Sequence, residues 1–223
     1  MTWDDKAIAK AMGRLLNADY LESHIKTPLQ EVFKSLCGQY GLLSKYIDIT
    51  LLLIFVQIDL LGYLYKGKSV QANAVNFMRE YLGRVDERYK AVSGLFYYAL
   101  RHGYVHLFTP KRIQLNDRMT LDFSFVSFSS SEKHLSVTKR EEMERNGPLV
   151  ICRLLINLTQ LYEDLLSAID KYTEDIRDNQ ELSDVFNVAF ETRRKAEEEK
   201  KLLKKPYIHD SGFDFVRKQT SNL

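Results

Sequence analysis

Between Ile47 and Leu61 the chain is apolar on nearly every side of a helical projection, with Leu51 to Val56 as its longest uninterrupted apolar run. A helix of that kind has no polar face to give to water, so it must be surrounded by other elements. The rest of the sequence supplies them. Leu29, Val32, Phe33, Leu36, Cys37 and Tyr40 recur at i, i+3, i+4, i+7, i+8 and i+11, one apolar helical stripe. Val70, Ala74, Phe77, Met78 and Tyr81 form a second, and Val85, Tyr89, Val92, Phe96 and Ala99 a third. The expectation is a mainly α protein, a helical bundle around the 47–61 segment.

Punctuation residues set the expected boundaries. A first helix is expected from about Asp4 to Ser23, capped by Thr2. Thr27-Pro28-Leu29-Gln30 reads as a capping box opening a second. Gly38 and Gly41 predict a break, after which helix resumes near Ser44 and runs to about Tyr65, with Gly67 as its stop. The fourth helix is expected over about Val70–Leu82, ended by Gly83, and the fifth from about Asp86 into Arg101-His102-Gly103-Tyr104-Val105-His106. From Arg112 to Val137 the pattern alternates: Leu121, Phe123 and Phe125, then Leu135 and Val137 beyond a serine-rich stretch. This predicts a small antiparallel β insertion, a hairpin or three strands at about 111–138. Asn146-Gly147-Pro148 then predicts a long helix to about Arg177, with Ile151, Leu154, Leu155, Leu158, Tyr162, Leu165, Ile169 and Tyr172 buried. Ser183 caps a last helix ending in the charged run Arg193–Lys201. The expected organisation is one domain over 1–205 and a disordered tail over 206–223.

Composition narrows the function. Lys plus Arg number 32 against 30 Asp plus Glu, a net charge of +2, which gives no general attraction to nucleic acid or anionic membrane. Two cysteines, Cys37 and Cys152, lie in apolar patterns and read as small buried hydrophobes. With no apolar leader and no uninterrupted apolar run near the roughly 20 residues that span a bilayer, the expectation is a reduced, cytoplasmic protein without a membrane partner. No glycine-rich phosphate loop, Cys-x-x-Cys pair or serine elbow occurs, and no cofactor is expected.

Of the five histidines, His24, His134 and His209 are isolated and read as surface or capping residues. The other two share Arg101-His102-Gly103-Tyr104-Val105-His106. Arginine holds a phosphate and neutralises charge developing on its oxygens. Histidine takes or gives a proton near neutral pH. RNA carries its own nucleophile, the ribose 2′-hydroxyl, so this pair suffices to cleave it without a metal. Two other readings stand beside this one. His102 and His106 are four apart, as paired metal ligands on a helix often are, with Asp48, Asp59 or Glu80 able to arrive from another helix. Alternatively, the segment is a solvated helix end, with His106 against the helix dipole or in the core. Asp48 and Asp59, eleven apart on the apolar helix, are expected to pair with arginine, lysine or tyrosine rather than to act in catalysis.

The Arg101–His106 segment resembles the HEPN superfamily of helical nucleotide-binding domains, whose ribonuclease members carry arginine, a polar residue and then histidine near a helix end. His102 fills the polar slot, and Pro110-Lys111 follows. The resemblance spans about 28–110. It implies catalytic Arg101 and His106, an assisting His102, and Tyr104 and Lys111 contacting RNA. It also implies a homodimer. On one regular helix five residues turn about 500°, leaving Arg101 and His106 about 140° apart, so either the helix breaks at Gly103 or two chains share a cleft. An antitoxin or another protein partner is the further expectation. The alternative is a non-enzymatic homodimeric interaction protein using the same surface.

Overall fold

The computed structural model describes residues 3–38, 47–68, 71–101, 103, 110, 112–126, 134–144 and 147–199. Helix α1 (Trp3–Tyr20) continues through a π-helical turn, Leu21–Lys26, into α2 (Thr27–Gly38). Thr27 is itself helical (φ −60, ψ −50), so the expected capping box does not start a new helix. The reason lies in Pro28. A proline inside a helix removes an N–H and crowds the carbonyl four residues back; the widened turn just before it gives that ring room. Thr2 lies outside the described residues, as do Tyr40 and the side chains of Leu36 and Cys37.

Helix α3 (Ile47–Lys66) is the 20-residue helix expected from the apolar segment, and Gly67 (φ 75) stops it, donating its N–H to the Tyr63 carbonyl at 2.7 Å. Leu51, Ile54, Phe55, Ile58, Leu61 and Leu64 are buried, whereas Ile49 and Val56 are exposed. Counted as a helix rather than as an unbroken run, α3 is long and apolar enough to cross a bilayer, which corrects the shorter estimate above. Its apolar stretch is 44% buried in the fold, and it packs against α4 (Gln71–Phe77). At Gly62 any Cβ would sit 2.6 Å from the Ala74 backbone.

From α4 the chain runs through a second π-helical turn, Met78–Leu82, into the short α5 (Gly83–Val85). Gly83 is α-helical (φ −64) and ends nothing; the helix stops at Asp86 (φ −139). The Asp86 side chain accepts from the Arg88 N–H at 3.0 Å and opens α6 (Arg88–Phe96). A third described π-helical turn, Tyr97–Arg101, follows, and Gly103 beyond it is again helical.

The β region is larger than expected and differently connected. Strands β1 (Ile113–Asn116), β2 (Met119–Val126), β3 (Ser136–Glu144) and β4 (Gly147–Asn157) form one sheet in the order β1-β2-β4-β3. β1–β2 and β3–β4 are antiparallel, but β2 and β4 are parallel, with Leu121 opposite Cys152 and Phe123 opposite Leu154. The sheet is mixed, not antiparallel, and it takes the segment 148–157 that helical spacing had claimed. β4 is flanked on both sides, and such strands read as near-continuous apolar runs. Leu149–Cys152 followed by Leu154–Ile156 satisfies i, i+3, i+4 and strand patterns alike. Helix begins only at α7 (Leu158–Asp178), where the Asn157 side chain accepts from the Thr159 and Gln160 N–H groups.

The last helix, α8 (Gln180–Glu199), starts before Ser183: the Asn179 side chain accepts from the Leu182 N–H. Ser183 is buried, and its hydroxyl accepts from Asn17 Nδ2 at 2.9 Å, tying α8 to α1. The chain divides into two compact units, residues 1–189 and 190–223. Of the second, residues 190–199 are described; they are helical, with Arg194 paired to Glu191. The expected tail, 206–223, lies outside the described residues. The molecule is thus mainly α, with a four-stranded mixed sheet. Its core joins α3 to Phe77, Tyr81, Tyr89, Phe96, Leu165, Ile169 and Tyr172.

Candidate functional site

Arg101 closes the third π-helical turn, one helical step beyond Tyr97. Its Nε donates to Asp59 Oδ2 at 2.9 Å, and its guanidinium lies over the Tyr97 ring, 5.7 Å from the centroid. Tyr97 also hydrogen-bonds Asp59; burial first, then this carboxylate, pushes its phenol up to about 12. The side chains of Arg101 and Asp59 are 25% and 28% exposed. The expected pairing of Asp59 with arginine and tyrosine therefore holds on both counts. Asp48 is not buried: it sits exposed in the first turn of α3, where a carboxylate suits the helix dipole.

The chemical state of Arg101 follows. Its Nε is committed to Asp59, and the ring below limits its swing. Among the described residues nothing binds its Nη edge, two amino groups in the fork geometry that matches phosphate oxygens. Of the other expected site residues, His102, Tyr104, His106 and Lys111 lie outside the described residues. Gly103, where a break was one of the two alternatives, is described, helical and buried. Among the described residues no group of three His, Cys, Asp or Glu side chains is placed to hold a metal ion.

A second polar cluster was not legible in the sequence. His134 is no surface residue: it is 6% exposed, where three parts of the fold meet. Its Nδ1 accepts the Asn157 N–H at 3.1 Å, and its Nε2 lies 2.8 Å from the Tyr89 hydroxyl. That hydroxyl donates to Asp164 Oδ2 at 2.8 Å, and Gln160 Nε2 donates to Oδ1 at 2.9 Å. The partners assign the protons. With Nδ1 accepting, the neutral ring carries its proton on Nε2 and gives it to Tyr89, which passes its own to Asp164. Burial first, then the Arg88 charge, lowers the His134 pKa to about 4. Burial raises that of Asp164 against the pull of Gln160 and Tyr89. Arg88 chelates Asp86 and donates from Nη1 to the His134 carbonyl at 2.6 Å. Leu135, next in the chain, has φ 53, uncommon for a bulky non-glycine residue.

These groups floor a cleft of about 950 Å³ lined by Asp86, Arg88, His134, Asn157, Glu163 and Asp164. Every proton in the chain is committed, so the network acts as a clamp joining α6, the start of β3 and the β4–α7 junction. Its one sequence signal is Asp164, an acid within the buried stripe Leu161-Leu165-Ala168 of α7.

No family model, no curated protein and no solved structure matches this chain.

Proposed function

We propose that the chain is a HEPN-like, metal-independent endoribonuclease that works through Arg101 and His106 in a cleft shared by two copies. The observation that carries this reading is the setting of Arg101. A guanidinium held at Nε by Asp59 and stacked on Tyr97 keeps its outer edge for an anion. It stands at the end of the helix that leads into the Arg-x4-His segment. In this reading Arg101 binds the scissile phosphate and His106 serves as general base. His106 takes the proton of the ribose 2′-hydroxyl as the 2′-oxygen bonds to phosphorus; the 5′-oxygen then leaves with a proton from the protonated imidazole. The products are a 2′,3′-cyclic phosphate and a 5′-hydroxyl. His102 orients the imidazole, and Tyr104 and Lys111 contact the RNA. The helices are read as one bundle, with the charged run to Lys201 as its solvated C-terminal helix, in a cytoplasmic protein.

The test is cleavage of a mixed-sequence RNA in EDTA. Wild type is expected to cut, and Arg101→Ala and His106→Ala each to lose about 100-fold or more, the range for a lost charge stabiliser or general base. Cleavage abolished by EDTA supports the metal reading, and unchanged activity in both variants removes the site.

One observation favours a second reading, a non-enzymatic interaction protein, though on a surface other than the Arg101–His106 helix: Ile8, Met12, Leu15 and Leu16 form an exposed apolar stripe on α1. Pull-down in which only substitutions on that stripe release a partner, with no RNA cleavage, supports it.

A further inference from the structure

The mixed sheet ends in two edges of different kinds. β1 has four residues and an irregular register between Gln114 and Asn116, the short, kinked form that discourages further pairing. β3 runs nine residues in unbroken register against β4, from Ser136–Leu155 to Glu144–Gly147, and among the described residues nothing pairs its outer side. Residues 137–141 are all exposed. Val137 is 56% and Met143 83% exposed, large apolar side chains left open to solvent.

We infer that the outer edge of β3 pairs antiparallel with β3 of a second copy of this chain, about a two-fold axis at Arg140. The order of side chains along the strand is the argument. A two-fold axis perpendicular to the sheet keeps each face on its own side, so residues at equal distances from the axis meet. On the face that carries Val137, Lys139, Glu141 and Met143, this register sets Lys139 against Glu141 of the second copy, twice. It also sets Val137 against Met143, twice. The exposed apolar groups cover each other and the charges alternate in sign across the seam. On the other face Arg140 meets its own copy, but each Arg140 already carries Glu142 at 2.5 Å, which neutralises the approach. Sliding by one symmetric step instead places Glu141 on Glu141 and Lys139 against Met143. Charges on a strand edge ordinarily keep other strands away. Here their sequence is self-complementary, so they select this register, and the occupant is another copy. The result is a continuous eight-stranded sheet, twice the four strands of one chain. This inference stands on β3 alone and does not rest on the ribonuclease reading.

The experiment is molar mass by sedimentation and light scattering across protein concentrations, for the full chain and three variants. Lys139→Glu and Glu141→Lys each turn both seam contacts into like-charge pairs. Each is expected to weaken self-association about tenfold or more, halving the mass at intermediate concentration. The double exchange Lys139→Glu/Glu141→Lys restores opposite charges and is expected to return the wild-type mass, which also shows that the exchanged residues are compatible with folding. A wild type that stays monomeric overturns the inference. So do single variants that associate as wild type does, or a double exchange that fails to rescue. RNA cleavage measured on the same samples separates this outcome from the fate of the Arg101–His106 site.

Discussion

The Tyr89 phenol serves two elements besides its own: it takes a proton from His134 and gives one to Asp164. Tyr89→Phe leaves both partners buried with an unmet hydrogen bond, and the expected loss is about 1–3 kcal/mol of stability in urea unfolding. An unchanged midpoint and slope would mean that the network contributes nothing. His134 sets a pH dependence. Its folded value of about 4 lies below its ordinary 6.5, so the fold prefers the neutral ring. The stabilisation is complete above 6.5 and is lost as pH falls from there through about 4. The span corresponds to about 3 kcal/mol at most. Asp164, shifted upward, works in the opposite sense near the ordinary carboxylate value. His134→Gln is expected to flatten the unfolding curve between pH 6.5 and 4, and a slope unchanged by that substitution contradicts the assignment. Little of this was legible from spacing. Tyr89 repeats with the apolar stripe of its helix, and the acid it binds is 75 positions away. Arg101 was visible as a motif residue, but its partner Asp59 was visible only as an oddity in an apolar helix.

At the scale of elements, α3 and its glycine stop were legible because an all-round apolar segment has one physical solution and a left-handed terminus has one favoured residue. β4 was not, because a strand buried between two others carries no alternation to distinguish it from a buried helix. The structure places the true helix start at Asn157. Asn157→Ala is expected to cost about 1 kcal/mol through loss of the α7 cap, read as a lowered unfolding midpoint. The α3–α4 crossing makes a sharper demand. Gly62→Ala forces a Cβ to within 2.6 Å of the Ala74 backbone, and overpacking of this kind costs about 1–3 kcal/mol. A Gly62→Ala protein as stable as wild type would mean that the two helices do not approach as described. The three described π-helical turns were likewise invisible: each adds one residue to a turn, and the apolar stripe of its helix does not mark where.

At the scale of the whole molecule, the proposed reaction needs two copies of the chain contributing to one site. Within one chain Arg101 is held by Asp59 and Tyr97; in the proposed function it binds the phosphate, and the imidazole facing that phosphate comes from the second copy. Complementation tests that arrangement most directly. Arg101→Ala and His106→Ala proteins, each inactive alone, are unfolded together, refolded and assayed for RNA cleavage in EDTA. Chains that share their sites assemble mixed dimers holding one intact Arg101–His106 pair in two. With random mixing, about a quarter of wild-type activity is then recovered. An equal mixture that remains as inactive as either variant contradicts the shared cleft, as does a wild type that cuts no RNA without metal.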